Sequence, residues 1–295
     1  MSIRSQIQRN ILRSYLFMVV FILLVVALSY IFGHAFGYGD SFIGIAIVFS
    51  TISSVVSLFF GDAIVLAMTG ARKATREQDF DFFTVAENVS MAAGLPMPKL
   101  YVIEDPAMNA FATGRDPGHA VVCATSGLLA KLDRRAIEGV VAHELSHVKN
   151  YDIRMMAVVT VLAGTIAFAS DMFMRNLWWR DRDNDRNDSG VFMLIGIVLA
   201  LISPLIASLI QLAISRKREY LADATGALIT RYPEGLARAL EKIGKETLVM
   251  KHASNATAHL FIANPFKNKK TRAWFSGLFD THPPIAQRIR ILRAM

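Results

Sequence analysis

One cysteine in 295 residues leaves no intramolecular disulfide to form, so nothing in the composition calls for an oxidising compartment. Cys123 reads as a small buried hydrophobe rather than a reactive thiol. No basic stretch interleaved with aromatics accompanies the formal charge of +8. The charge therefore points away from nucleic acid and towards an anionic lipid surface. Internal repeats and long low-complexity tracts are absent as well, which leaves one or two domains with a sizeable core. What the chain has in excess is apolar: 53% of residues are hydrophobic and the mean hydropathy is +0.38. That excess is gathered into four runs divided by segments of ordinary charge. The composition describes a protein half embedded in a membrane and half globular.

Residues 15 to 32, "YLFMVVFILLVVALSYIF", carry no charge and suit a helix crossing a hydrocarbon core of about 30 Å. The run is longer than the apolar part of a cleaved signal peptide, so it reads as an uncleaved anchor. A second run extends from about Ser41 to Leu66 and is interrupted by Asp62. Residues 155 to 170 and 191 to 214 give a third and a fourth, the third short for a crossing unless it reaches Met174, and Pro204 should kink the fourth. Basic clusters set the orientation. Arg4, Arg9 and Arg13 precede the first run, Arg72, Lys73 and Arg76 follow the second, and Arg216, Lys217 and Arg218 follow the fourth. Four crossings place all three clusters, and both termini, in the cytoplasm. The loop at 175 to 190 carries four arginines against four aspartates and is the awkward member of this scheme.

The expected divisions are residues 1–71 with two membrane helices, 72–153 as the first part of a cytoplasmic unit, 154–215 with the remaining two spans, and 216–295 as its second part. In 72–153, "FTVAENVSMAAGL" has helical spacing, while "KLYVIE", "NAFATG" and "HAVVCAT" are short β-rich runs expected to pair into a small sheet. Asp133 is placed to cap the following helix. The stretch "ANPFKNKKTR" reads as a loop.

That following helix carries "HELSH" at 143 to 147, an H-E-x-x-H pattern. Residues four apart on a helix lie one above the other, so His143 and His147 can reach a single zinc ion. Glu144 lies about 100° around the helix from His143, within reach of a water beside the ion without being a ligand. Catalytic zinc requires a third protein ligand and an open position. None of the other histidines extends the pattern, so a carboxylate is the better donor. "SRKREYLADATG", 215 to 226, follows the fourth run, and there Glu219 and Asp223 share a helical face. If the third and fourth runs pack antiparallel, Glu219 arrives level with His147 as the third ligand, and Asp223 becomes an acceptor for a histidine N–H. The alternative for this pair is a juxtamembrane charge cluster with Arg216 and Arg218.

"AHELSHVKNYDIR" and "SRKREYLADATGA", with "NAFATG" at 109 to 114 and "DTHPP" at 280 to 284, resemble the HtpX family of bacterial membrane zinc proteases, relatives of the CAAX prenyl proteases. The likeness covers most of the chain. It implies a mainly α membrane protein of four transmembrane helices with a cytoplasmic, zincin-like α+β catalytic domain. It also implies one zinc per chain and an endopeptidase of the inner membrane that acts in quality control of membrane proteins. His282 is then a candidate donor to the oxyanion of the tetrahedral intermediate, by likeness to other zinc peptidases, although Thr281 could instead cap a helix begun by Pro283. Asn109 and Ala110 are candidate substrate contacts if "NAFATG" is an edge strand that accepts an extended peptide, and core residues if it is an ordinary buried strand. Asn150 and Asp152 suit the family pattern and helix termination equally.

The expected partners are polypeptides, membrane proteins foremost, and the lipid bilayer, without nucleic acid. The oligomeric state is left open between monomer and homo-oligomer. A non-catalytic, zinc-stabilised scaffold or chaperone is the rival reading, and it would need a closed site of four ligands rather than three.

Overall fold

The computed structural model describes residues 3–35, 39–180, 216–251, 253–254, 256–266 and 283–295. Two helices open the chain, α1 (Ile3–Ala35) and α2 (Ile43–Thr69), with a turn of 3-10 helix at Gly39–Phe42 between them. Stretches within them, Ile7–Ile31 and Gly39–Thr69, have mean hydropathies of 2.6 and 2.2 and are long enough to cross a bilayer. Their packing inverts that of a water-soluble helix pair. On α2 the buried stripe is Ser50, Ser54, Ser57 and Gly61, whereas Ile45, Phe49, Ile52, Phe59 and Phe60 are exposed. Small residues let backbones approach and large apolar ones face outward, the arrangement expected where the surrounding solvent is hydrocarbon. The serine hydroxyls at 50 and 57 are satisfied within their own helix, by Ala46 O and Ser54 O.

The third apolar run lies on a 29-residue helix, α6 (Asp152–Arg180), whose first turns are buried against α1 and α2. The fourth run, 191–214, lies outside the described residues.

Between α2 and α6 the chain builds a four-stranded sheet of order β1-β2-β4-β3, from β1 (Arg72–Lys73), β2 (Lys99–Ile103), β3 (Ala110–Thr113) and β4 (Val121–Thr125). β1 pairs antiparallel with β2, β2 parallel with β4, and β3 antiparallel with β4. The three expected β-rich runs are therefore strands, and "FTVAENVSMAAGL" is most of α3 (Phe80–Ala93). Alternation along β4 feeds two cores. Val122 and Ala124 pack with α3, with α5 (Arg134–Lys149) and with α8 (Pro233–Lys245). Val121 and Cys123 face the other way, onto Val65 and Leu66 of α2, Met156 of α6, and Phe261. Burial pushes the Cys123 thiol far up from its ordinary value, so it is inert packing.

α5 starts where Asp133 accepts a hydrogen bond from Ala136 N–H at 2.9 Å, after the short α4 (Ser126–Lys131). It crosses α8 and α7 (Arg216–Thr230), with α9 (Ile285–Leu292) closing the group. Two glycines set how near these helices come. A Cβ at Gly139 would lie 2.4 Å from the Leu236 backbone nitrogen, and one at Gly226 only 3.1 Å from the backbone nitrogen of His143. The second approach matters most, because it seats α7 directly on the turn that carries the first histidine.

The motif helix does not run on into the third apolar run: α5 ends at Lys149 and α6 begins at Asp152, with Tyr151 at φ 59° between them. The left-handed residue ends the hydrogen-bond ladder and turns the chain, which frees Asp152 to point back at the motif.

Gly139→Ala should destabilise the protein by about 1–3 kcal/mol, because the new methyl group meets backbone rather than a pliable side chain. Thermal unfolding in detergent reads this as a lowered Tm; an unchanged Tm would show that α5 and α8 are not locked at this crossing.

Candidate metal centre

His143, Glu144 and His147 lie on the buried side of α5, with Glu219 and Asp223 one turn apart on α7. The close approach at Gly226 brings the two helices together so that donor atoms of His143, His147 and Glu219 all lie within 4.8 Å of one another. The imidazole Nε2 atoms stand 3.3 Å apart. Glu219 places Oε1 at 3.4 Å from His147 Nε2 and Oε2 at 3.8 Å from His143 Nε2.

The outer nitrogens of both rings face carboxylates. His143 Nδ1 is 3.0 Å from Asp223 Oδ1, and His147 Nδ1 is 3.0 Å from Asp152 Oδ2. A proton on each Nδ1 held in that hydrogen bond, with the rings neutral, would leave the Nε2 lone pairs turned towards each other and towards Glu219, which is the state that a metal ion requires. Three such donors converging in a buried space call for positive charge, which a proton on His147 supplies in part and a metal ion among them would supply directly. The spacing fits one: two nitrogens at tetrahedral zinc, each about 2.0–2.1 Å from the ion, are about 3.3 Å apart.

The same crowding is felt by the protein alone. Burial opposes a charge on His147, but its hydrogen bond to Asp152 and the carboxylates of Glu219, Asp152 and Glu144 outweigh burial and raise its pKa to about 9. Burial would likewise push the Asp223 carboxyl up; Arg288 and His143 overcome it and hold the group at about 2.

Two further groups complete the surroundings. Arg288 of α9 is fully buried and donates from Nε and Nη2 to the two oxygens of Asp223, at 2.8 and 2.6 Å. Its Nη2 also lies 3.4 Å from the ring nitrogens of His143, and its Nη1 is 3.6 Å from Glu219. A bidentate arginine fixes the plane of Asp223 and with it the ring of His143. On the opposite side, Asn10 of α1 donates to Asp152 Oδ1 at 2.7 Å and to the Asn150 carbonyl at 2.9 Å. Arg218 reaches the same Asp152 oxygen at 3.4 Å and Asn10 Oδ1 at 3.3 Å. The first membrane helix thus grips the carboxylate that orients His147.

Asn109 and Ala110 are buried at the start of the edge strand β3 and do not join the cluster. His282 lies outside the described residues. Arg288 and Asn10 were not expected from sequence. The signal for Arg288 is faint, an arginine on the apolar side of a short amphipathic helix. Asn10 has one weak signal, an amide at the entrance to an uncharged run.

Comparison with known proteins agrees with this geometry. Residues 76–295 match the family model of Peptidase family M48. The chain is 45% identical over 291 residues to the "Protease HtpX homolog" of Thermoanaerobacter pseudethanolicus, which covers 97% of this chain and 95% of that protein. It is 48% identical over 240 residues to the protein of the same description from Tropheryma whipplei, covering 81% of each. Among solved structures, the crystal structure of S. mikatae Ste24p is similar in fold, with a TM-score of 0.50 at 17% identity, covering 98% of this chain and 66% of that one.

Asn10→Ala should weaken metal binding by about 10–100-fold, the usual effect of losing a group that orients a ligand histidine. Competition against a chelator of known affinity measures it, with helix content by circular dichroism as the control for folding. Unaltered affinity would mean that Asp152 keeps its aim without α1.

Proposed function

Since this chain belongs to peptidase family M48 and is a membrane-anchored metalloendopeptidase, we propose that it holds zinc on His143, His147 and Glu219 and cleaves polypeptides at the cytoplasmic face of a bacterial inner membrane. Convergence of those three donors, with an acidic group behind each imidazole, is the observation that carries this reading. Zinc bound there supplies Lewis acidity towards a water molecule and towards the scissile carbonyl.

The remaining steps belong to the chain's own side chains. Glu144 takes the proton of the attacking water and returns it to the leaving amine. Asp223 and Asp152 keep the Nδ1 protons of His143 and His147 in place, so both Nε2 atoms stay available. Arg288 holds Asp223 ionised and adds positive charge beside the reacting centre. His282 is proposed as the donor to the oxyanion. Its position three residues before α9, the helix that brings Arg288 to His143, supports that role. Asn109 and Ala110 are proposed to line the path of the substrate, because β3 ends the sheet and packs against α5.

Two parts of the chain, 72–153 and 216–295, make one catalytic unit in this reading, as the packing of α5 on α7 and α8 supports. Residues 1–71 and 154–215 anchor it by four membrane crossings, with both termini cytoplasmic. A site joined to α1 through Asn10 and to α6 through Asp152 suits substrates that are themselves membrane proteins or their unfolded segments, hence a role in quality control. Asn10, near the start of the first apolar stretch, hydrogen-bonds to the residue that holds His147, which supports a site at the membrane's edge.

Glu144→Gln should keep the fold and the bound metal but lower peptide cleavage by about 10²–10⁴-fold, the span usual for a lost general base. Metal analysis and a fluorogenic peptide assay in detergent check both halves, and sustained turnover would remove Glu144 from the mechanism. A chelator should abolish wild-type cleavage and added zinc restore it; activity that survives complete metal removal would refute the metalloprotease mechanism itself.

A further inference from the structure

Among the described residues, the candidate catalytic and metal-binding side chains are closed off from solvent, with exposures of 1% at His143, 3% at Glu144, 6% at His147 and 2% at Glu219. A polypeptide cannot reach Glu144 in this arrangement, so some element stands where substrate belongs. The free edge of β3 is the natural berth for an extended peptide, since a sheet edge offers main-chain hydrogen bonds irrespective of side chain. In this structure that edge is taken.

Asn109 O accepts from Thr125 N–H of the neighbouring strand, and antiparallel pairing alternates, so the Ala110 carbonyl faces outward. It accepts a hydrogen bond from Ile262 N–H at 2.9 Å. One residue on, the Asn109 side chain clasps Ala263, donating to its carbonyl at 2.9 Å and accepting from its N–H at 3.3 Å. On the far side, the Ile262 carbonyl accepts from Arg288 Nη1 at 3.3 Å, and Nη2 of the same guanidinium is 3.4 Å from His143. Ile262 therefore has its N–H on the edge strand and its carbonyl on a cation beside a metal-site histidine. An extended substrate lying between the edge strand and the metal would make the same two attachments.

The side chains here are seated in apolar surroundings. Phe261 is fully buried, edge-on to Phe111 with ring centres 5.2 Å apart, in the core with Val65 and Met156. Ile262 belongs to the opposite core, with Ala112 and Leu145.

We infer that Leu260–Ala263 is an internal occupant of the substrate groove, and that substrates are extended segments whose bulky apolar side chains displace it and take the seats of Phe261 and Ile262. The inference rests on the protease reading and narrows its substrate class. A lysine or aspartate in either seat would be buried without a partner, which sets the selectivity.

The test uses the full-length, zinc-loaded protein in detergent and two labelled peptides that differ only in carrying Phe-Ile or Asp-Lys at the central pair. Wild type should favour the Phe-Ile peptide by about a hundredfold in kcat/KM, the scale of burying unpaired charge. Ile262→Pro removes the N–H that holds the segment to β3, and should raise kcat/KM on that peptide by about tenfold, mainly through KM, as loss of one competing hydrogen bond allows. Equal cleavage of both peptides, or an Ile262→Pro variant of wild-type Tm and metal content without a gain, would overturn the inference.

Hydrogen exchange decides the matter without relying on that variant's folding or on turnover. In metal-loaded Glu144→Gln the Ile262 amide should exchange slowly, then at least about tenfold faster once the Phe-Ile peptide is bound, because its carbonyl partner has been taken. An unchanged rate with peptide bound, or no binding of either peptide, would also overturn it. Failure of the wild type to cleave any peptide strikes the protease reading instead, and leaves the exchange result to judge the occupant.

Discussion

Two imidazole nitrogens held 3.3 Å apart beside a buried carboxylate are the constraint on which the rest of the structure turns. Neither ring can relax away, because each is pinned from behind by an aspartate, and the aspartates are pinned in turn by Arg288 and by Asn10. Such an arrangement is unfavourable on its own: it concentrates lone pairs and negative charge where water cannot screen them. Arg288 beside Glu219 and the raised pKa of His147 offset part of that charge, and a divalent cation bound there would turn the remaining repulsion into coordination.

That constraint explains features that look unrelated. Gly226 lets α7 lie close on the backbone of α5, where Glu219 reaches the motif. The break at Tyr151 is required because Asp152 must reverse direction to meet His147. Asn10 closes the same network from the first membrane helix, so anchoring and metal geometry are physically one system rather than a catalytic unit tethered to a separate span. Arg288 joins the His143–Asp223 pair to Ile262 and so to the edge strand.

The membrane helices obey a different rule from the catalytic core, and the two meet on either side of the sheet. Along α2, serines and a glycine turn inward while phenylalanines and isoleucines turn outward, because hydrocarbon gives no reason to hide large apolar groups. Across β4, by contrast, residues alternate between two buried cores, because helices cover the sheet on both faces. The last turn of α2 contributes Val65 and Leu66 to one of those cores, which ties the anchor to the sheet.

Local pattern alone determined much of this protein. The uncharged runs, the period-two strands, the Asp133 cap and the placement of His143, Glu144 and His147 on one helix are all consequences of short-range periodicity, which a sequence displays directly. The spacing of Glu219 and Asp223 indicated a shared face, yet not that this face meets the motif: residues 147 and 219 are 72 positions apart, and the packing of α7 on α5 decides it. Arg288, Asn10 and Ile262 were beyond reach for the same reason. An arginine among 32 basic residues, an amide at the start of an apolar run and an isoleucine in a loop carry no periodic mark; their roles arise from which surfaces pack together, and packing between distant segments is decided by the tertiary fold.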